Sequence, residues 1–180
     1  MRSTAHGNDS HGAVSRYMTR DHARLDAYLA RAELGAVDLA SYEEFRIGLL
    51  RHIATEEKIL FVAIRTHCQG APPPLLAVLH ADHAALASLL VPTPTLALLR
   101  TLRELLNEHD PLEETAEGLY DMYECIGRGE LDILLARARA IPPVRASKHV
   151  DGPRVDEHVA RMLAARTRIR AASPTHGLLV

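Results

Sequence analysis

Histidine and glutamate recur in this chain at a spacing that suits metal coordination. His22 stands in Asp21-His22-Ala23-Arg24-Leu25, and His52-Ile53-Ala54-Thr55-Glu56 follows. The order then repeats, with His83 in Asp82-His83-Ala84-Ala85-Leu86 and a final His109-Asp110-Pro111-Leu112-Glu113. Each glutamate lies four residues after its histidine. On an α-helix that is just over one turn, so both side chains share a face. Four imidazoles and two carboxylates on successive helices would suit two metal ions inside a bundle. HxxxE alone is a weak signal. Its repetition, each time behind a DH pair, carries the reading. Neutral imidazole suits iron, zinc, copper and nickel, and a carboxylate can bridge two cations. With no thiolate in the set, an iron pair is the expected occupant, and zinc or manganese could replace it.

These residues need helices to carry them. Val14, Met18, His22, Leu25, Leu29 and Ala32 recur at three- and four-residue steps, which predicts a first helix over about 13–33. Gly35 can close it, and Asp38 can cap the next. Tyr42, Phe45, Leu49, His52, Glu56, Ile59 and Ala63 form the stripe of a long second helix over about 39–67. Gly70 and Pro72-Pro73-Pro74 punctuate the chain there. A third helix over about 74–91 carries Leu76, Leu79, His83, Leu86 and Leu90. Pro92 and Pro94 break it, and Thr93 or Thr95 can cap a fourth. That helix carries Leu99, Leu102, Leu106, His109, Glu113, Ala116 and Tyr120, with Pro111 expected to kink it beside the ligands. Gly127 and Gly129 suggest a break, 130–140 a short fifth helix, and 156–170 a last one.

No segment reads as a strand. The expected fold is all-α, an up-down-up-down four-helix bundle with additional C-terminal helices. We divide the chain into a flexible N-terminus (1–12), a bundle with its short fifth helix (13–140) and a C-terminal extension with a mobile end (141–180). The half-repeat implies an internal duplication with pseudo-two-fold symmetry.

Composition excludes several classes. The 180 residues suit one domain, and 47% are hydrophobic, rich in the helix formers Leu and Ala. A net charge of −2 gives no general argument for nucleic acid or an anionic membrane as partner. No apolar run approaches a membrane span, and residues 1–15 lack the apolar stretch of a secretory signal. Cys68 and Cys125 form no CxxC and read as reduced thiols of a cytoplasmic protein. Arg154, Arg161, Arg166, Arg168 and Arg170 lack an aromatic stacking platform. They read as a solvated face packed loosely on the bundle. The oligomeric expectation is a monomer or homodimer, with no protein partner specified.

The DH, HxxxE, DH, HxxxE series resembles the hemerythrin-like family of HHE cation-binding domains over roughly Ser15 to Tyr123. The resemblance implies an oxo- or hydroxo-bridged pair of iron ions in a four-helix bundle. It implies that His22 and His52 bind one iron, His83 and His109 the other, and that Glu56 and Glu113 bridge. Oxygen carriers of that family have a fifth histidine four residues before the third-helix histidine. Leu79 stands there in this chain, and His80 lies one residue further on. Oxygen carriers also end on an aspartate five residues after its histidine, where this chain has Glu113 at four. Both departures point toward family members that sense iron or oxygen or answer nitrosative stress.

His80 and Glu57 are therefore candidate additional ligands, with surface or supporting positions as the alternative. Asp21 and Asp82 point about 100° away from the histidines that follow them. We read them as solvated or capping residues; the other reading has them accept from histidines on neighbouring helices. Glu57 and Glu114 read mainly as polar-face residues. Tyr28, Tyr42, Tyr120 and Tyr123 read as core with a polar handle, one of which could donate to a bound ligand. The expected function is a di-iron protein that binds dioxygen, nitric oxide or peroxide for sensing or stress response. The alternatives are an oxidase or peroxidase on the same centre, and a storage or structural zinc-binding bundle.

Overall fold

A computed structural model describes residues 12–67, 71–115, 118–125 and 128–173. The expectations of a flexible N-terminus and a mobile C-terminal end, and those placed on Cys68, Gly70, Ala116 and Gly127, lie outside the described residues. So does the side chain of Cys125. The elements are α1 (Ala13–Ala32), α2 (Leu39–Thr55), a π turn (Glu56–Leu60), α3 (Phe61–His67), α4 (Pro74–Leu89), α5 (Leu96–Glu114), a 3₁₀ turn (Asp121–Cys125), α6 (Arg128–Arg139) and α7 (Pro153–Ala172). The described residues are all-helical outside turns and connections, as expected, and contain no strand.

Local chemistry explains the boundaries. Asp38 caps α2 by accepting from the Ala40 and Ser41 amides, and Thr95 caps α5 by accepting from Leu98 N–H. Pro74 occupies the first turn of α4, where its missing N–H costs nothing. Gly35, at φ 76°, supplies the left-handed residue that stops the chain after α1.

Two expectations change. The second helix is not uniform: α2 and α3 are joined through a π turn that starts at Glu56. The fourth helix ends at Glu114 rather than running on to Tyr120. Pro111 lies inside it, in the last turn. The backbone then doubles back. The Leu119 amide donates to the Leu112 carbonyl (3.1 Å) and the Tyr120 amide to Glu113 (3.0 Å). Gly118 makes this possible. A Cβ there would lie 2.7 Å from the Thr115 carbonyl oxygen and 2.9 Å from those of Leu112 and Glu113.

The core has two apolar layers. One contains Met18, Leu60, Phe61, Leu79, Leu119 and Tyr123. The other contains Leu25, Leu29, Tyr42, Phe45, Leu86 and Leu102. Between Met18 and Leu25 on α1 sits His22, and between Leu79 and Leu86 on α4 sits His83. The polar residues of the repeat thus form a middle layer. Burying them without partners would be costly.

The C-terminal part is better packed than expected. Helix α6 lies against α1 and the π turn, and α7 packs along α4. Val159, Met162 and Leu163 of α7 cover the second apolar layer. Arg166 is buried rather than solvated. No described helix is long and apolar enough to cross a membrane.

Candidate metal centre

The structure brings together the six residues of the repeat. His22 comes from α1, His52 from the end of α2, Glu56 from the π turn, His83 from α4, and His109 and Glu113 from α5. All six are buried. Two overlapping groups form: His22, His52, Glu56 and Glu113, and Glu56, His83, His109 and Glu113. Within each group the ligand atoms lie within 4.8 Å of one another.

The atoms divide cleanly between the two positions. His22 Nε2 lies 2.8 Å from His52 Nε2. Two nitrogens at ~2.1 Å from one ion, at a right angle, stand about 3 Å apart. Glu56 Oε1 lies 3.4 Å from His52 Nε2, and Glu113 Oε2 lies 3.3 Å from His22 Nε2. The opposite oxygens turn the other way. Glu56 Oε2 is 3.1 Å from His83 Nε2, and Glu113 Oε1 is 3.2 Å from His109 Nε2. Each carboxylate therefore spans both positions. Among the described residues, Glu56 Oε2, His83 Nε2 and Glu113 Oε1 are buried without a hydrogen-bond partner. Buried polar atoms are rarely left so. Three of them converging on one point fit a cation, and hard oxygen with imidazole nitrogen fits iron, zinc or manganese.

All four Nδ1 atoms face carboxylates, which leaves Nε2 for the centre. His52 Nδ1 is 3.1 Å from Asp21 Oδ2, and His109 Nδ1 is 3.3 Å from Asp82 Oδ2. His83 Nδ1 is 2.9 Å from Glu57 Oε1, and His22 Nδ1 is 2.6 Å from Glu114 Oε1. Every imidazole is thus oriented by an acid from a neighbouring helix, as metal-binding histidines usually are. This corrects the solvated reading of Asp21 and Asp82 and the polar-face reading of Glu57 and Glu114. The sequence signal was present: each acid adjoins a repeat residue. Which neighbour it faces is a tertiary fact.

His80 is not brought to the cluster. It is 66% exposed, and its Nδ1 lies 2.8 Å from Glu57 Oε1. Glu57 supports His83 instead of reaching the two groups. Leu79, at the place of the oxygen carriers' fifth histidine, is fully buried in apolar core.

Tyr120 joins the centre. Its hydroxyl donates to Glu56 Oε1 at 2.9 Å, with Glu113 Oε2 at 3.1 Å and His22 Nε2 at 3.3 Å. Sequence reasoning placed it among four indistinct tyrosines. The tight turn at Gly118 selects it, and no periodicity shows that. Phe61 closes another side, stacked on His83 with ring centroids 5.5 Å apart.

The electrostatics are those of a charged layer in an apolar core. Burial opposes the charged form of every imidazole, and the carboxylates outweigh it. His22 is pushed up to about 8, His109 to about 9 and His52 to about 10. His83 rises well above its ordinary range through Glu113, Glu56 and Glu57. Burial and Glu113 push Glu56 up, but His52 and His83 bring it down to about 2.

The family model of the hemerythrin HHE cation binding domain matches residues 13–128. The chain belongs to that family. Its HHE core covers α1 to α5 and the turn bearing Tyr120, and the match ends where α6 begins. No curated protein and no solved structure matches the chain. Membership in the HHE family supports cation binding, and the buried His/Glu groups fit it.

One cavity of about 390 Å³ leads to this HHE centre from solvent. It runs between α1, α2 and α5 to His22, His52 and His109, past Leu25, Leu29, Leu49 and Leu106. At its solvent side Arg103 bonds Asp26 (2.6 Å) and Glu33 (2.8 Å). Its volume is more than ten times the ~30 Å³ share of a water molecule, so diatomic molecules and peroxide fit.

Proposed function

We propose that the chain holds a non-haem iron pair and binds dioxygen, nitric oxide or peroxide there, in sensing or stress defence. The observation that carries this is the carboxylate geometry: Glu56 and Glu113 each direct one oxygen to each position. His22 and His52 would complete one position, and His83 and His109 the other. The iron pair would supply redox equivalents and a coordination position for the small ligand.

The rest falls to this chain's own side chains. Leu25, Leu29, Leu49 and Leu106 give the cavity an apolar side along its way to the centre. Asp21, Asp82, Glu57 and Glu114 keep the imidazoles in the tautomer that offers Nε2. Tyr120 holds a proton at its hydroxyl against both glutamates. Burial and those two carboxylates raise its pKa well above the usual phenol range, so it serves as a donor. That proton would hydrogen-bond a small anionic ligand at the centre.

Elemental analysis after anaerobic loading with ferrous iron tests the reading. About two iron atoms per chain, with visible bands that change on adding dioxygen, nitric oxide or peroxide, are expected. One zinc, or no metal, would overturn it in favour of a structural or storage bundle. Steady consumption of peroxide with an added reductant would reassign the centre to an enzyme.

Tyr120→Phe separates holding metal from holding ligand. Iron content should stay at the wild-type level, because the hydroxyl only bonds to carboxylates that stay in place. A hydrogen bond to a charged group contributes ~1.5 kcal/mol, or about tenfold. The bound ligand should therefore leave about tenfold faster in stopped-flow measurements. An unchanged rate would remove Tyr120 from the ligand's surroundings.

A further inference from the structure

The two halves of the centre follow one plan, yet their orienting aspartates differ. Asp21 is 20% exposed, and its guanidinium partner among the described residues is Arg24, three residues along α1 and 41% exposed. Arg24 takes Oδ1 through Nε and Nη2, both at 2.8 Å. Oδ2 is left to His52. Asp82 is 1% exposed and is gripped by α7. Arg166 Nε donates to Oδ1 at 2.8 Å, and Arg170 Nη1 donates to Oδ2 at 2.6 Å. Oδ2 is also the oxygen that faces His109 Nδ1, at the longer distance of 3.3 Å. One oxygen thus serves a guanidinium and an imidazole together.

Charge-assisted bonds are strong, and an acceptor already engaged by a cation is a poorer acceptor for its next donor. Glu108 accepts from Arg166 at 2.6 Å, but it is 56% exposed and screened by water. The guanidinium of Arg166 is 10% exposed. Helix α7 lies beyond residue 128, where the family match ends, so this grip belongs to the chain's own extension. It is well anchored. Val159, Met162 and Leu163 pack on the core, Val150 N–H donates to the Val91 carbonyl, and Asp151 accepts from Thr93.

We propose that α7 makes the two metal positions electronically unequal, with Arg166 and Arg170 acting as positioning residues that weaken Asp82 as the partner of His109. An imidazole with a weaker acceptor at Nδ1 is a poorer electron donor through Nε2. Nearby positive charge also favours the lower oxidation state of an ion. In an iron pair the His83/His109 position is the one that reduces first. This rests on the metal-pair reading above.

The full-length chain tests it with two probes. In a reductive titration of the iron-loaded chain, Arg170→Gln should lower one of the two one-electron steps and leave the other. The expected size is a tenfold shift toward ferric iron at fixed solution potential, which is 59 mV for a one-electron couple. Arg170→Lys, which keeps the charge, should restore the step, and Arg24→Gln should move its own step far less. In the zinc-loaded chain, NMR should show the His109 Nδ1 proton moving downfield in Arg170→Gln while that of His52 stays. Steps and resonances that do not move, or Arg24→Gln acting as strongly as Arg170→Gln, would overturn the proposal. A chain that loads a zinc pair but no iron would fail only the iron reading, and the NMR arm then decides. A chain that loads neither overturns both.

Discussion

Glu56→Ala is expected to leave the chain with fewer than two bound metal ions and a weakened fold. Glu56 is fully buried, and its two oxygens face different positions, with His52 at 3.4 Å and His83 at 3.1 Å. Removing it would take one carboxylate oxygen from each of the two candidate positions at once. It also removes the hydroxyl partner of Tyr120 at 2.9 Å and leaves a void between the apolar layers. Without metal the loss is electrostatic. The imidazoles around Glu56 are held in their charged forms by the carboxylates, and breaking a buried charge pair costs about 3–5 kcal/mol. Glu56→Gln should keep the shape but bind weakly, because an amide oxygen is a poorer ligand than a carboxylate. Elemental analysis and thermal unfolding read both effects. Two metal ions per chain in Glu56→Ala would end the bridging role.

Metal uptake should release about three protons per chain at pH 7. The metal-free imidazoles of His22, His52 and His109 titrate at about 8, 10 and 9, and that of His83 is also raised. All four are raised above the ordinary value, but His22 Nε2 and His52 Nε2, 2.8 Å apart, hold one proton between them, and each imidazole must offer a neutral Nε2 to a metal. Each displaced proton changes apparent affinity about tenfold per pH unit. Affinity should therefore collapse between pH 8 and pH 6. The metal-free chain should behave in the opposite sense. Its histidine pKa values exceed the ordinary 6.5, so their stabilisation is complete below that value and is lost as pH rises through about 8 to 10. Glu56, lowered from 4.5 to about 2, contributes above 4.5 and loses its contribution as pH falls toward 2. Metal-free stability should peak between about pH 4.5 and 6.5. A pH indicator during zinc addition, and melting curves across pH, test both. Uptake without proton release would show that the histidines are neutral before binding.

Much of the centre could be read from residue order. An imidazole and a carboxylate four apart on an apolar stripe must both point inward, so His52/Glu56 and His109/Glu113 were legible. The helices of the bundle were legible for the same reason, since apolar spacing decides their buried faces. What escaped depends on neighbours distant in sequence. Helix geometry says that Asp82 diverges from His83; it does not say that His109 lies there. Arg166 looks like one arginine among several until α7 is docked. Tyr120 was placed on a helical face because the stripe continues through it. The backbone left that helix earlier, through a turn that only glycine at 118 admits. The π turn has no marker in its own residues. It coincides with the stretch where Glu56 faces the centre and Glu57 reaches His83.

The orienting carboxylates also say something about how such a chain could arise. Asp21 serves His52 and Asp82 serves His109, each inside its own half-repeat. Glu57 serves His83 and Glu114 serves His22, each across the halves. Two copies of a single half, paired about a two-fold axis, would close all four of these contacts on themselves. One copy alone would leave the His22 imidazole unsteered, one metal position short of Glu113 and the other with Glu56 alone. The ring of acids and imidazoles thus has the logic of a homodimer written into one polypeptide. Only the second half carries an arginine-bearing helix against its aspartate.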